Sequence, residues 1–209
     1  MTLKMLLHSA RRALLAATDQ RTDRRLGIDA ATKHVLQVDP DERNAPYDSL
    51  SHQALGQLIA RIAPATEDVI YDVGCGKGRM ICVFARLDVA ACVGVELDPT
   101  LADAAQRNIE RLASGGGRAR IIQGDASDQD YSKATVVVMY NPFGAEVMRA
   151  VLKRLTDSLL ANPRRVRLYY CGPAQLRVFR DFPAFQPFDA FSLPYDLGRI
   201  VVMAFEGGG

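Results

Sequence analysis

The sequence predicts an α/β fold in which a mostly parallel sheet carries helices on both faces and ends in an antiparallel pair of strands. From about residue 66 the chain alternates short β-branched runs with longer helical patterns, which is typical of parallel strands joined by crossover helices. A glycine-rich turn follows the first of these runs, at a place where open sheets of this class bind ligands. The last two apolar runs are separated by the stretch PYDLG, which favours an antiparallel ending.

Each element has its own local signal. Five β-branched runs predict the strands, over 68–74, 91–97, 119–125, 135–141 and 166–172. Helical patterns follow three of them, over 78–88, 99–113 and 145–160. Pro99 stands at a first-turn position that suits proline. The interval from Asp125 to Thr135 is too short for a full helix, and a short helix over 174–182 follows the fifth strand.

Residues 1–65 predict an N-terminal helical extension ahead of one α/β domain over 66–209. Helical patterns lie near residues 3–17 and 49–62, joined by the polar connector QVDPDERNAPYDS. A histidine, a serine and two arginines interrupt the apolar start of the chain, which argues against a signal peptide and for an amphipathic helix. We expect the extension to serve as a lid, a substrate platform or a dimer contact.

Composition and charge exclude several classes of function. With 209 residues, 48% of them hydrophobic, the chain can bury one substantial core. The net charge of +2 argues against nucleic acid as the partner, and the arginine pairs 11–12, 24–25 and 164–165 predict solvated faces. The four cysteines have no metal-ligand spacing with the histidines, so we expect reduced thiols and no metal. No apolar run approaches the roughly 20 residues that cross a bilayer, so we expect a cytoplasmic protein.

The stretch DVGCGKGR, residues 72–79, indicates what kind of ligand the glycine turn binds. Glycines let a backbone approach a ligand closely and adopt positive φ. Gly74, Gly76 and Gly78 form a G-x-G-x-G pattern, whose third glycine comes one residue earlier than in the dinucleotide fingerprint. Asp72 would repel a pyrophosphate but can accept hydrogen bonds from an ammonium group. The turn therefore favours a cationic nucleoside over a dinucleotide.

Two further acidic residues follow predicted strands. Glu96 ends the second strand, where a carboxylate can accept bonds from both hydroxyls of a ribose. Asp98, directly before Pro99, is the natural N-cap of the next helix, which leaves Glu96 without a capping role. Asp125 follows the third strand and either receives the exocyclic amine of an adenine or caps a turn.

At these residues the sequence resembles the class I S-adenosylmethionine-dependent methyltransferases. DVGCGKG matches their first motif, GVELDP their acidic loop after the second strand, and GDA their adenine-contacting loop. The resemblance spans about residues 66–160 and implies a Rossmann-like sheet of seven strands, with S-adenosylmethionine as cofactor and S-adenosylhomocysteine as product. It assigns the methionine part to Asp72, Gly74 and Gly76, the ribose to Glu96, the adenine to Asp125 and Ala126, and includes Cys75, Gly78 and Leu97 in the cofactor site. Cys75 is not expected to be a nucleophile, because the sequence positions no histidine beside it.

The stretch YNPFG, residues 140–144, lies at the predicted ligand edge of the sheet. It is similar to the motif with which amino-methyltransferases of DNA adenine and protein glutamine bind the target amine, although the aromatic residue comes one position early. The resemblance implies that Asn141, Pro142 and Phe143 bind the acceptor and that Asn141 also borders the cofactor; a loop that merely ends a strand is the alternative. Tyr47, in the polar connector, is expected to close over the cofactor and to join them as a catalytic residue. Tyr140 and Tyr170 offer further aromatic faces but also fit a core pattern.

The segments RRLGIDAATKHV and APYDSLSHQALGQLI also resemble a bacterial group of methyltransferases distantly related to the non-SET histone lysine methyltransferases. This implies an amine acceptor, on a protein side chain or a small molecule. The alternatives are a nucleic-acid methyltransferase and a regulator that binds the cofactor without turnover. A nicotinamide-dependent dehydrogenase requires the longer glycine spacing.

Overall fold

A computed structural model describes residues 3–31, 49–112, 116–193 and 199–205. These residues form one seven-stranded sheet in the order β3-β2-β1-β4-β5-β7-β6. The strands are β1 (Val69–Val73), β2 (Ala91–Glu96), β3 (Ala119–Gln123), β4 (Val136–Tyr140), β5 (Val166–Cys171), β6 (Gln186–Ser192) and β7 (Arg199–Phe205). β1 to β5 are parallel, and β7 lies antiparallel between β5 and β6. The predicted fold class is confirmed.

The helices are α1 (Leu3–Leu26), α2 (His52–Ile62), α3 (Arg79–Phe84), α4 (Pro99–Glu110) and α5 (Ala145–Ala161). Residues 126–128 and 176–181 form short 3-10 helices. None of the helices in the described part of the chain is both long enough and apolar enough to span a bilayer. The predicted turn PYDLG falls at 194–198, outside the described residues.

The strand order reverses direction between β1 and β4. β2 and β3 follow β1 on one side, whereas β4 and β5 lie on the other. At such a switch point the loops after the two central strands separate and leave a crevice at the carboxyl edge of the sheet. The glycine turn after β1 and residues 140–144 after β4 therefore meet at this crevice, as predicted.

The two central strands are buried on both faces and are apolar apart from Tyr71 and Asp72 of β1 and Tyr140 of β4. β4, with the sequence VVVMY, is buried from Val136 to Met139. One core cluster combines residues of β1 and β4 with α2, α3 and α4, and a second combines the opposite face with α5. The sheet is thus enclosed on both sides, and its carboxyl edge is where ligands can enter.

The N-terminal extension shares its core with the sheet. Ile28, Leu50 and Leu58 belong to the same buried cluster as residues of β1 and β4. α1 continues to Leu26, nine residues beyond the predicted end at 17. The prediction ended too early because the last turns of the helix are polar and carry no apolar periodicity. α2 begins at His52, with the hydroxyl of Ser51 accepting a bond from the amide of Ala54.

The prediction of a solvated face for the arginine pair 164–165 is wrong for the first of the two residues. Arg164 is half-buried and donates to the carbonyl oxygens of Ala134, Tyr131 and Ser158. These carbonyls lie before β4 and at the end of α5, so the guanidinium joins the two elements. Its neighbour Arg165 is exposed, as expected.

We expect Gly94→Ala to destabilise the protein and Gly56→Ala to stabilise it. In β2, a Cβ at Gly94 would lie 2.8 Å from the Sγ of Cys75 and 2.8 Å from the Cδ1 of Ile121, so the core must shift. Overpacking of this kind costs about 1 to 3 kcal/mol. Gly56, inside α2, has no atom within 4 Å of an added Cβ, and alanine there should add up to about 1 kcal/mol. Urea unfolding of both variants checks this, and equal stabilities would contradict it.

Candidate functional site

The glycine turn connects β1 to α3 and folds back onto β2. Gly74, Gly76 and Gly78 have φ values of +80°, +55° and +74°, a region that side chains with a Cβ rarely adopt. The amides of Gly74 and Cys75 both donate to the carbonyl oxygen of Val95, at 2.9 and 3.0 Å. The G-x-G-x-G spacing is thus required by the backbone conformation of the turn.

The turn touches the predicted acceptor stretch directly. A Cβ at Gly74 would lie 2.3 Å from the Cβ of Pro142, so only glycine allows this approach. Asn141, next to it, has φ of +40°, a left-handed conformation that is uncommon outside glycine and is found at functional sites. The structure therefore brings the two motifs predicted from sequence into contact.

Asp72 is a buried carboxylate without a hydrogen-bond donor among the described residues. It lies near the carboxyl end of β1, and only 2% of its surface is exposed. Burial, and then the nearby charge of Glu96, raise the pKa of Asp72 to about 7. Every side-chain oxygen or nitrogen sealed from solvent in the described ranges has a hydrogen-bond partner, so the carboxylate of Asp72 is not completely sealed. A buried, unpaired carboxylate is suited to a cationic ligand.

Glu96 has a structural role that the sequence did not indicate. Its Oε2 accepts a bond from the amide of Gly76 at 2.8 Å, and its Oε1 accepts from the amide of Asp98 at 2.9 Å. Burial outweighs these bonds and raises the pKa of Glu96. Asp98 is the N-cap, as predicted, and Glu96 has a different structural role: it joins the glycine turn to the end of β2. Each carboxylate oxygen can still accept a further bond, as a ribose hydroxyl would require. Binding of a ribose stays a prediction.

Asp125 and Ala126, the residues predicted to bind adenine, follow β3. Asp125 accepts bonds from the amide and hydroxyl of Ser127, at 2.8 and 2.7 Å, so it does cap the short helix that follows. Ala126 is buried, and its carbonyl oxygen accepts a bond from Tyr131 at 2.8 Å. Leu97, predicted as part of the cofactor site, follows β2 and is 45% exposed. Contact of these residues with the cofactor stays a prediction.

Asn141 is oriented by a hydrogen-bond relay that starts at a backbone amide. The amide of Gln175 donates to the hydroxyl of Tyr170 at 3.0 Å, and this hydroxyl donates to the Oδ1 of Asn141 at 3.2 Å. Because the tyrosine has a single proton to donate, the relay fixes which end of the Asn141 amide faces Tyr170. Tyr170 is fully buried and Phe143 is 6% exposed, so both rings pack in the core.

Cys75 is not activated as a nucleophile. Cys75 is 8% exposed, and burial raises the pKa of its thiol well above the usual value, which keeps the thiol protonated. Within the described ranges no group of histidine, cysteine, aspartate or glutamate side chains could hold a metal ion. Tyr47, predicted to close over the cofactor, lies outside the described residues.

Comparison with known sequences supports the motif assignment. The model of the ANTKMT methyltransferase domain family matches residues 72–168. A protein-lysine N-methyltransferase of Saccharolobus islandicus is 34% identical over 98 residues, which cover 46% of this chain and 60% of that protein. A ribosomal protein L11 methyltransferase of Clostridium botulinum is 24% identical over 127 residues, or 37% of its length. The chain thus spans less than two thirds of the curated relatives that it matches.

Solved structures confirm the fold. An RNA methyltransferase of Salinibacter ruber in complex with S-adenosylhomocysteine superposes with a TM-score of 0.56 at 21% identity, covering 76% of this chain and 94% of that one. The glycopeptide N-methyltransferase MtfA superposes with a TM-score of 0.60 at 12% identity, covering 74% and 95%. The predicted resemblance to class I S-adenosylmethionine-dependent methyltransferases is confirmed.

We expect Asp72 to make the stability of the ligand-free protein depend on pH. The pKa of Asp72 is higher in the folded protein than in the unfolded chain, so the folded protein is more stable with this carboxyl protonated. This contribution to stability is complete below the unfolded pKa and is lost as the pH rises through about 7. Asp72→Asn does not titrate. The free energy of unfolding of wild type minus that of the variant should therefore fall between about pH 4 and pH 8, by up to about 4 kcal/mol. Urea unfolding across this range checks it, and a constant difference would contradict it.

Proposed function

We propose that this protein transfers a methyl group from S-adenosylmethionine to an amine nitrogen, with a protein lysine as the first candidate and a small-molecule amine as the second. One observation carries the proposal. Two carboxylates, that of the buried Asp72 and that of the partly buried Glu96, flank a glycine turn whose first glycine packs against Pro142, beside the oriented amide of Asn141.

The residues at the turn fit this cofactor by their chemistry. The unpaired carboxylate of Asp72 suits the ammonium of the methionine part, and a bound cation would restore its ionised form. Glu96 keeps lone pairs for the two ribose hydroxyls, and the exposed Leu97 beside it offers an apolar surface to a purine. The two acidic side chains would repel the pyrophosphate of a nicotinamide dinucleotide.

The chain contributes positioning and the exclusion of water. When bound, S-adenosylmethionine supplies a methyl group on a positively charged sulfur. Asn141 accepts a bond from Tyr170 through one lone pair of its Oδ1, and the second lone pair can accept an N–H of the acceptor amine. The nitrogen lone pair of that amine then remains available for attack on the methyl carbon. Holding the amine in a reactive orientation is the main way such a site accelerates transfer.

The relatives favour a protein amine as acceptor. The similar protein from Saccharolobus islandicus is a protein-lysine N-methyltransferase. The region that the family model matches, residues 72–168, includes both acidic residues and Asn141. The net charge of +2 provides little attraction for a polyanion. The structural neighbours act on RNA and on a glycopeptide, and at their low identity they support the fold rather than an acceptor.

We expect the protein to bind S-adenosylmethionine and S-adenosylhomocysteine but not NAD, and Glu96→Ala to weaken binding by about 1 to 3 kcal/mol through lost hydrogen bonds. Asp98→Ala is the matched control. Asp98 caps α4 by accepting the amides of Thr100 and Leu101, so its loss should lower stability without lowering affinity. Isothermal titration measures the cofactor affinity of both variants. Equal affinities of wild type and Glu96→Ala would remove the ribose assignment.

We expect Tyr170→Phe to slow methyl transfer roughly 10- to 100-fold while the affinity for S-adenosylhomocysteine stays near wild type, because the relay to Asn141 is lost. Tyr71→Phe is the control: Tyr71 is equally buried, but its hydroxyl donates to the carbonyl oxygen of Asp130. Both variants are assayed with tritiated S-adenosylmethionine and a bacterial protein extract.

The same assay identifies the acceptor class. Label that resists nuclease, is released by protease and is recovered as methyllysine after acid hydrolysis supports the proposal. Label in a small amine supports the second candidate. Nuclease-sensitive label would point to nucleic acid instead, and cofactor binding with no transfer to any fraction would indicate a regulator.

A further inference from the structure

The side chain of Arg79 connects the glycine turn to the N-terminal extension. Arg79 directly follows Gly78 and is 6% exposed. All five N–H groups of its guanidinium donate to residues of the extension. They reach the Oδ1 and Oδ2 of Asp23 at 3.1 and 2.6 Å, the hydroxyl of Ser49 at 2.6 Å, and the carbonyl oxygens of Leu50 and Ala30 at 3.1 and 3.2 Å.

Asp23 is the centre of this buried network. It lies in the last turn of α1 and is 3% exposed. Besides Arg79, its Oδ1 contacts the Nε2 of His52 at 2.7 Å. Burial by itself raises the pKa of Asp23, but the hydrogen bonds from His52 and Arg79 and the charge of Arg79 outweigh burial and lower it. The carboxylate is thus ionised, and its charge is balanced by Arg79. We call Arg79, Asp23 and His52 the clasp.

A second contact holds the other side of Gly78. Asn108, on α4 and 1% exposed, exchanges two bonds with the backbone of Asp29, at 2.9 and 3.1 Å. Its Nδ2 also donates to the carbonyl oxygen of Lys77 at 2.9 Å, and the Nζ of Lys77 donates to the carbonyl oxygen of Ala31 at 3.1 Å. The residues on both sides of Gly78 are therefore tied to the extension.

We propose that the extension is a working part of the cofactor site, in which Asp23 is a positioning residue that acts through Arg79 to fix the glycine turn. The inference rests on the proposed function. A turn with three glycines at positive φ loses more conformational entropy on ordering than other segments. When the turn is ordered before the ligand arrives, binding no longer carries that cost. Asp23, whose oxygens are occupied by Arg79 and His52, then controls affinity without touching the ligand.

The test compares two ion pairs, each with a buried aspartate. Asp68 is 6% exposed, and its Oδ2 lies 2.9 Å from the Nη2 of the partly exposed Arg167, at the opposite, amino end of β1. Asp23→Asn and Asp68→Asn should both lower the melting temperature, because each removes the charge of a buried carboxylate that an arginine balances. Only Asp23→Asn should raise the dissociation constant for S-adenosylhomocysteine, by about 10-fold, within the range of ordinary coupling between sites.

Hydrogen exchange of the ligand-free proteins gives a second measurement. Exchange of the amides in residues 74–79 should accelerate in Asp23→Asn and stay at the wild-type rate in Asp68→Asn. If Asp23→Asn does not fold, His52→Ala replaces it, with the same direction and a smaller effect on both measurements. Wild-type affinity and exchange in the clasp variants, or equal changes in the Asp68 control, would overturn the proposal.

The two measurements separate this inference from the proposed function. If wild type binds neither S-adenosylmethionine nor S-adenosylhomocysteine, the proposed function fails. Hydrogen exchange alone then decides whether Asp23 positions the glycine turn. Acceleration confined to the clasp variants then supports it, and acceleration in both pairs or in neither overturns it.

Discussion

The glycine turn after β1 must be held in place by its surroundings, because three of its residues adopt positive φ and no side-chain packing of their own stabilises them. Three different parts of the chain hold it. β2 accepts two of its amides through Val95 and a third through Glu96, Pro142 packs on Gly74, and Arg79 ties its end to the extension. The ligand edge of the sheet is organised around this turn.

The same edge concentrates negative charge in a buried place. Burial raises the pKa of both Asp72 and Glu96, and the charge of Glu96 adds to the effect at Asp72, so a ligand cation can offset the cost of ionising them. The ligand-free protein is therefore less stable than it would be with apolar residues at these two positions. Natural proteins commonly accept such a loss of stability where binding requires it.

The extension contributes to both stability and the site. Leu55 and Leu58 of α2 complete the core cluster on one face of the sheet, whereas Asp23, which also contacts His52, binds Arg79 next to the glycine turn. The extension therefore has extensive contacts with the rest of the protein. The carboxylate of Asp23 balances the charge of a buried arginine that would otherwise be costly.

The sequence by itself determined the strands, the parallel arrangement with its antiparallel ending, and the residues Asp72, Glu96 and Asn141. These follow from local signals: apolar periodicity, glycine spacing and positions at strand ends. The end of α1 could not be found in this way, because its last turns have no apolar pattern. Only the tertiary structure decided the partners of Glu96, the relay from Tyr170 to Asn141, and the pairing of Arg79 with Asp23. These partners are 20, 29 and 56 residues apart, and no local pattern encodes contacts that arise only when the strand order brings distant segments together.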